Sequence, residues 1–466
     1  MLGEDILYLP VRELGQRIKA RKLSPVELTQ SYLARSERLG PRFNAYATLT
    51  RELALEQARA AQREIAAGKY RGPLHGIPYA AKDLLAVKGY PTTWGARPLA
   101  QQQFDFDATV IERLNRAGAV LIGKAAMIEL AGGMGYRFAS ASISGAAKNP
   151  WKARCWTCGS SSGSGAIVSA ALAPFAIGTE TWGSIICPSA YCGITGLRPT
   201  FGRVSRHGAM ALSYSLDKIG PMGRTADDCA LVLAAISSHD SRDRGSLPPT
   251  EADFSYSMQQ QQPLRIGWLT NAWKKPDAEL QAVVEKAITE LKRHGARVRD
   301  AALPEGPFEE AAGVIISVEG ASAFQSLLTS GKIAELDDPL GKIAGYVNEQ
   351  ISAADYLRAQ RIRGIAQQKV DAFFDEFDVL AAASLPITAT TLETNLETDL
   401  SFPDPLGGIG NLCGLPAISV PCGFSADKLP IGVQFVARTR NDHLVVAAAR
   451  LFQEHTDWHT RRPPLD

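Results

Sequence analysis

Serine and glycine residues are concentrated between Cys158 and Ile185, where hydroxyl groups lie beside permissive backbone. The segment reads CGSSSGSGAIVSAALAPFAIGTETWGSI and lies between apolar runs without charge, so a solvated linker is not expected. A phosphate-binding loop needs a lysine after its glycines or a regular Gly-x-Gly-x-x-Gly spacing, and neither is present. The third interpretation is a catalytic loop, in which glycines let the backbone approach a substrate beside a serine nucleophile.

A serine nucleophile needs a base, and this base is most often a histidine. Of the seven histidines, His75 and His207 lie in loops near motif-like sequence, and either is a candidate. A Gly-x-Ser-x-Gly pattern is centred on Ser161, although such patterns arise easily in a Gly/Ser run. A buried lysine is an alternative base, because desolvation keeps its amine neutral. Lys82 in the apolar segment GIPYAAKDLL suits this role, but the segment by itself favours an ion pair with Asp83 or another carboxylate.

Composition and charge point away from several other classes of function. The 466 residues are 45% apolar, and 50 basic against 48 acidic side chains leave a formal net charge of +2. No run of like charge predicts nucleic acid or membrane binding. The longest apolar stretch is interrupted by Ser169 and Pro174, so no membrane span is predicted. The N-terminal residues lack the pattern of a secretory signal.

The seven cysteines favour a reducing compartment, since their number is odd and they are scattered along a long chain. Cys155 and Cys158 form a Cys-x-x-Cys pair, but its surroundings fit neither a redox helix nor a zinc site with a second ligand pair. We therefore expect a cytoplasmic protein without a metal site.

The elements that must position these residues alternate between helical and strand patterns, which predicts an α/β protein. Helical patterns cover residues 9–39, where Ser24 and Pro25 are the expected N-cap and first-turn residues, and residues 51–66. Residues 264–301 read as strand, helix, strand, and residues 308–377 are mainly helical. The remaining expected elements are strands within 378–389, 412–424 and 429–438 and a helix over 442–455.

Several segments together resemble the amidase-signature family of hydrolases. The family's lysine motif, GIPxxxKD, is matched by residues 76–83, and its GGSSGGS block by CGSSSGS at residues 158–164. Its nucleophile block, GTDxGGSIRxP followed by FCGxxGLKPTxGRVS, is matched by GTETWGSIICP and YCGITGLRPTFGRVS. The two serines of the family are 24 residues apart, as are Ser160 and Ser184. The resemblance extends to GLPAISVPCGF and covers nearly the whole chain.

This resemblance implies a catalytic triad without histidine. By position, Ser184 is the nucleophile, Ser160 on a cis peptide bond relays the proton, and Lys82 is the terminal base. The resemblance implies no metal ion and no organic cofactor. The implied oxyanion hole consists of backbone N–H groups at Thr181, Trp182 and Gly183, together with Ser184 itself. Further substrate-pocket candidates are Gly132, Gly133, Ser161 and Ile186.

Departures from the family pattern bear on the substrate. They are Trp182 and Ser162 in place of glycines, Leu84 and Ala126 in place of asparagines, and Ile186 with Cys187 in place of an arginine-containing pair. That pair is common in glutamine-using amidotransferase subunits. Since polar groups become apolar around an intact triad, we expect aryl or alkyl amides, anilides or carbamates (urethanes) as substrates. A positive φ at Trp182 would strain the backbone.

Two other functions stay open. The first is the A subunit of a tRNA-dependent amidotransferase, which GRVSRHG and SLDKIGPMGRT favour and the missing arginine and near-neutral charge disfavour. The second is a non-catalytic relative, which the complete triad disfavours. For the leading function we expect a small-molecule amide or carbamate as the partner, no nucleic acid, no membrane, and a monomer or homodimer.

The resemblance also implies one domain over residues 1–466, with a mixed twisted β-sheet covered by helices on both faces. Within it we expect a helical N-terminal region at about 5–66 and a signature core at about 70–235. A substrate-side region at about 263–395 and C-terminal strands with a helix at about 405–457 complete the chain.

Overall fold

One large β-sheet runs through the protein in a computed structural model, which describes residues 2–248, 263–272, 277–399 and 405–465. The described strands are β1 (Tyr46–Leu49), β2 (Pro78–Lys82), β3 (Val120–Ala125), β4 (Lys148–Asn149), β5 (Lys152–Trp156), β6 (Phe175–Glu180), β7 (Thr195–Arg198), β8 (Lys218–Gly223), β9 (Arg265–Leu269), β10 (Arg297–Ala301), β11 (Val379–Ala383), β12 (Ala417–Phe424) and β13 (Pro430–Ala437).

Eleven of these strands form the main sheet, in the order β1-β3-β2-β6-β8-β7-β12-β13-β11-β9-β10, and β4 pairs with β5 separately. The sheet is mixed, because β2 is parallel to β3 and β6, and β9 is parallel to β10 and β11, whereas the central pairs are antiparallel. The fold is therefore a single-domain α/β fold with a large mixed sheet flanked by helices, which confirms the expected fold class.

Helices precede, connect and follow the strands. The described α-helices are α1 (Glu4–Leu7), α2 (Val11–Lys19), α3 (Pro25–Phe43), α4 (Arg51–Ala66), α5 (Thr109–Arg116), α6 (Ser162–Ser169), α7 (Ile186–Cys192), α8 (Ala226–Ile236), α9 (Ala278–Arg293), α10 (Phe308–Ala323), α11 (Gln325–Thr329), α12 (Gly341–Asn348), α13 (Ala353–Glu376), α14 (Pro405–Leu412) and α15 (Asp442–Glu454). Short 3₁₀ helices lie at Arg97–Leu99, Glu129–Gly132, Lys332–Glu335 and Trp458–Thr460. The expected N-cap of α3 is confirmed, since the Ser24 hydroxyl accepts a hydrogen bond from the Glu27 N–H at 3.2 Å.

The strand arrangement explains how distant segments meet at one place. β2 and β6 are apolar, fully buried and parallel neighbours, with Ala81 opposite Ile177. Their carboxyl ends therefore lie at the same edge of the sheet, where α/β proteins usually build their sites. β2 ends at Lys82 and β6 ends at Glu180, so the lysine lies beside the loop that leads to Ser184.

Two apolar clusters enclose this edge. The larger one lies between the sheet and the N-terminal, α5, α8, α9 and α15 helices. A second cluster joins α10, α13 and α14 to the strands β11 and β12 and includes Ile186 and the half-buried Trp182. Among the described residues, no helix is both long and apolar enough to cross a bilayer.

Candidate active site

The three side chains of the expected triad form a continuous chain of hydrogen-bonding groups. The Lys82 Nζ donates to the Ser160 Oγ at 2.7 Å, and the Ser160 and Ser184 hydroxyl oxygens are 3.0 Å apart. Lys82 is 0% exposed, Ser160 2% and Ser184 8%. This is the geometry that a proton relay from Ser184 through Ser160 to an amine requires.

Lys82 is not paired with its neighbour Asp83. Asp83 instead contacts Lys124, whose Nζ lies 2.8 Å from the carboxylate Oδ1. The Lys82 ammonium also donates to the Thr179 Oγ1 at 2.9 Å. Burial lowers the pKa of Lys82 to about 7, although nearby Asp217 and Glu180 oppose the shift. The ion-pair interpretation of the sequence is therefore wrong, and a neutral amine is available at weakly basic pH.

The loop that carries Ser160 is fastened to β6. The Gly159–Ser160 peptide bond is cis, as the resemblance implied. The Ser161 hydroxyl donates to the Thr179 carbonyl at 3.1 Å and accepts from the Thr179 N–H at 3.2 Å. Ser161 therefore supports the loop from the β6 side, and its role as a pocket residue stays a prediction.

The buried carboxylate of Glu180 holds the loop that carries Ser184. Glu180 accepts hydrogen bonds from the Ile185 and Ile186 N–H groups at 2.9 and 3.0 Å, immediately after the serine. Its other oxygen accepts from Arg198 at 2.7 Å and from Asn411 at 3.0 Å. Burial raises the pKa of Glu180, but Arg198 and the backbone donors outweigh it and lower the pKa to about 2. Glu180 is thus an anion over the ordinary pH range and fixes the loop that carries Ser184.

The expected oxyanion loop turns at Gly183, whose φ is +78°. Trp182 is not among the described residues with positive φ, so the replacement of glycine there introduces no strain of this kind. The Thr181 hydroxyl donates to Asp217 at 2.6 Å, which anchors the loop to the segment before β8. The assignment of these N–H groups as an oxyanion hole stays a prediction.

The other pocket candidates have different surroundings. At Gly132 and Gly133 an added Cβ would approach the Tyr136 ring and the Phe324 ring, respectively, at 2.7 Å. Both positions therefore admit only glycine without local movement. Ile186 is 3% exposed and packs in the second apolar cluster, so its side chain belongs to the interior.

The two histidine candidates, His75 and His207, contact residues outside the proposed triad. His75 is fully buried, with its Nε2 3.2 Å from Glu64, and the His207 ring stacks on Phe106. His207 lines a cavity of about 170 Å³. The cavity has apolar walls that include Leu84 and Met210. Its polar lining includes Thr179, Thr181, Asp217 and Lys218.

Sequence reasoning did not identify the supporting groups Glu180, Arg198, Asn411 and Thr179. Glu180 and Arg198 lie at the ends of short apolar strands, and both are buried. A charged residue in an otherwise apolar strand therefore indicates a buried, partnered charge. From the sequence, we used this indication for Lys82 and not for Glu180 or Arg198.

Comparisons of the sequence and of the structure with known proteins point to the same family. Residues 27–446 match the Amidase family. The chain is 36% identical to the A subunit of the glutamyl-tRNA(Gln) amidotransferase of Methylococcus capsulatus, over 97% of this chain and 98% of that protein. The native peptide amidase from Stenotrophomonas maltophilia is 31% identical, with a TM-score of 0.86 and 98% of both chains covered. A bacterial aryl acylamidase of the amidase-signature enzymes is 26% identical, with a TM-score of 0.87 and 98% and 99% covered.

These relatives overturn the expectation about partners. The sequence led us to expect a small-molecule amide or carbamate without nucleic acid, and a monomer or homodimer. The curated relatives at 35–36% identity are instead subunits of an amidotransferase named for glutamyl-tRNA(Gln). The expectation was wrong because it relied on net charge and on the missing arginine. Neither feature reports on assembly with other subunits.

Proposed function

Since the chain belongs to the amidase-signature family, we propose that it is the glutamine-hydrolysing A subunit of a tRNA-dependent amidotransferase. The observation that carries this proposal is the 36% identity, over nearly the full length of both proteins, to the A subunit of a glutamyl-tRNA(Gln) amidotransferase. The buried Lys82–Ser160–Ser184 relay supports it, because glutamine hydrolysis requires an activated nucleophile.

Acylation begins with proton transfer along the relay. Neutral Lys82 accepts the Ser160 proton while Ser160 accepts the Ser184 proton, and the Ser184 oxygen attacks the carboxamide carbon. In this proposal the N–H groups of Thr181 to Ser184 stabilise the oxyanion, at about 3 kcal/mol for each donor. The proton returns through Ser160 to the leaving nitrogen, the C–N bond breaks, and ammonia departs from the acyl-enzyme.

Deacylation uses the same relay, with water in place of Ser184 as the attacking group. Water adds to the acyl carbon and passes a proton through Ser160 to Lys82; the proton then returns through Ser160 to the Ser184 oxygen as the Ser184–acyl bond breaks and glutamate is released. The ammonia is the nitrogen that an amidotransferase supplies to its acceptor. Hydrolysis and transfer are therefore separable measurements.

The first experiment purifies the tagged full-length chain from its native host and identifies the subunits that co-purify with it. It then measures glutamate formed from glutamine and the conversion of glutamyl-tRNA to glutaminyl-tRNA. Wild-type protein is expected to perform both reactions, whereas Ser184→Ala abolishes both, and the exposed Ser322→Ala changes neither. Failure of the wild-type chain to co-purify with any subunit and to hydrolyse glutamine would refute the proposal.

A second candidate is hydrolysis of apolar amides, including anilides and carbamates. The apolar walls of the cavity, with Leu84, Met210 and Leu212, favour it. So does the likeness to an aryl acylamidase at 26% identity. A substrate panel of glutamine, an anilide and an aryl carbamate separates the two candidates. A kcat/KM for glutamine below those of both apolar substrates would support the second.

A further inference from the structure

Lys218 is a second buried lysine at the same edge of the sheet. It is the first residue of β8, is 2% exposed, and lies opposite Glu180 of β6 in the strand register. Its ammonium donates to the Leu216 carbonyl. Among the residues that the structure describes, no carboxylate oxygen lies within 4.0 Å of its Nζ. Lys218 is therefore a buried amine without an ion pair.

The two nearest carboxylates are already occupied. Glu180 is held by Arg198, Asn411 and two backbone N–H groups. Asp217 accepts from the Thr181 hydroxyl and from the Leu212 and Ser213 N–H groups at 2.8 and 3.0 Å. Neither carboxylate forms an ion pair with Lys218, although the charge of each raises its pKa.

Burying an unpaired ammonium is costly unless a partner arrives. Burial and the nearby Arg198 guanidinium lower the pKa of Lys218, while Glu180 and Asp217 act in the opposite direction. Arg363, which donates to the Ser215 carbonyl at 3.0 Å, adds further positive charge on this side. An anion that enters beside Lys218 would restore the protonated form and satisfy its remaining donors.

Lys218 lines a cavity whose wall also includes residues adjacent to the proposed triad. Thr179 and Thr181 share this lining. Thr179 contacts Lys82 through its hydroxyl at 2.9 Å, and Thr181 lies three residues before Ser184. The rest of the lining includes apolar side chains such as Leu84 and Ala131. The cavity thus suits a ligand with an aliphatic middle and an anionic end.

We infer that Lys218 is the carboxylate-binding group of a substrate subsite, so that the preferred substrates are aliphatic primary amides carrying a carboxylate. Glutamine is one member of this class, and in that respect the inference rests on the proposed function. The carboxylate bonds to the ammonium and the aliphatic chain lies along the apolar wall. The carboxamide then extends towards Ser184.

The test compares two substrates of equal length, glutaramate and pentanamide, which differ by a carboxylate in place of a methyl group. In wild-type full-length protein, kcat/KM for glutaramate is expected to exceed that for pentanamide by at least roughly tenfold, because charge-assisted hydrogen bonds contribute that much. Lys218→Met removes the preference through a higher KM and leaves pentanamide hydrolysis within about threefold. The exposed Lys342→Met is the matched control and keeps the preference.

A measurement without turnover keeps the inference testable if Lys218→Met does not fold. Calorimetric titration with glutarate is expected to show binding to wild type, weaker binding to Lys218→Gln, and partial retention in Lys218→Arg. Binding weakens as pH rises, because deprotonation of Lys218 removes the positive charge. Equal affinity in wild type and Lys218→Gln, or equal losses for both amides in Lys218→Met, would overturn the inference.

The outcomes separate this inference from the proposed function. If glutamine is not hydrolysed but glutaramate is, in a manner that depends on Lys218, the subsite stands and the glutaminase proposal falls. If glutamine is hydrolysed equally by wild type and Lys218→Met, the glutaminase proposal stands and the subsite is refuted.

Discussion

Two buried lysines on neighbouring strands should respond in opposite ways to replacement by methionine. Lys82 ends β2 and Lys124 lies in β3, and both are 0% exposed. Lys124 is 2.8 Å from the buried Asp83 carboxylate, whereas Lys82 contacts the hydroxyls of Ser160 and Thr179. Lys124 neutralises the charge of Asp83, whereas Lys82 is held neutral for the proposed proton transfer.

The expected magnitude for Lys82→Met follows from its environment. At pH 8 the amine is largely neutral in the folded protein, where its pKa is about 7, but protonated in the unfolded chain. This difference costs the wild type about 3 kcal/mol of stability. Methionine removes that cost and loses two hydrogen bonds of about 1 kcal/mol each. Lys82→Met should therefore be more stable than wild type by about 1 kcal/mol at pH 8.

The same reasoning fixes the pH dependence. Between the folded and the unfolded pKa of Lys82 the unfolded chain binds a proton that the folded protein lacks, so wild-type stability rises with pH. The stability of Lys82→Met relative to wild type should fall by about 1.2 kcal/mol for each pH unit between pH 8 and pH 10, so that the variant becomes less stable than wild type before pH 10. Lys124→Met leaves Asp83 buried without its cation and should lose about 3–5 kcal/mol.

Urea unfolding followed by circular dichroism, at pH 8 and pH 10, measures both changes. The exposed Lys342→Met serves as the control and is expected to change the free energy of unfolding by less than about 0.5 kcal/mol. Lys82→Met should also lose hydrolytic activity. If it loses as much stability as Lys124→Met, Lys82 is charged in the folded protein and the argument for a neutral base fails.

Three further predictions concern the relay and its support. The kcat/KM for glutamine should rise with pH through an apparent pKa near 7, because protonated Lys82 cannot accept a proton; a flat profile from pH 5.5 to 9 would contradict this. Ser160→Ala should lower kcat by about 10²–10⁴ without changing the circular dichroism spectrum, and a loss of threefold or less would exclude Ser160 as the relay. Arg198→Met leaves Glu180 without its guanidinium partner and should lower the free energy of unfolding in urea by about 3–5 kcal/mol. The control, Arg358→Met at an exposed position, should lower it by less than about 0.5 kcal/mol. Equal effects of the two variants would mean that Arg198 does not stabilise Glu180.

The elements around the site were predictable because their signals are local. The capping pair Ser24–Pro25, the apolar run before Lys82 and the alternation of helix and strand each depend on neighbouring residues. The 24 residues that separate Ser160 from Ser184 contain α6 and β6, which bring the two serines together. These features determine which residues are brought to the edge of the sheet.

The partners of each charged group were not predictable, since they depend on the order of strands far apart in sequence. Arg198 of β7 reaches Glu180 of β6 across β8, and Asn411 comes from α14 more than 200 residues after Glu180. The replacement at Ile186 was interpreted as a change in the pocket, yet this side chain is buried in the second apolar cluster. A sequence motif gives the position of a residue along the chain and does not give the direction of its side chain.

Lys82, Lys124 and Lys218 show why this distinction decides function. Each is a buried lysine in a strand, so each carries a similar sequence signal and a cost of desolvation. Lys124 meets that cost with a carboxylate, which makes it structural. Lys82 meets it with a lowered pKa and hydroxyl partners, which suits the base of the proposed relay. Lys218 has only a carbonyl and an adjoining cavity, so a ligand is the partner that completes its surroundings.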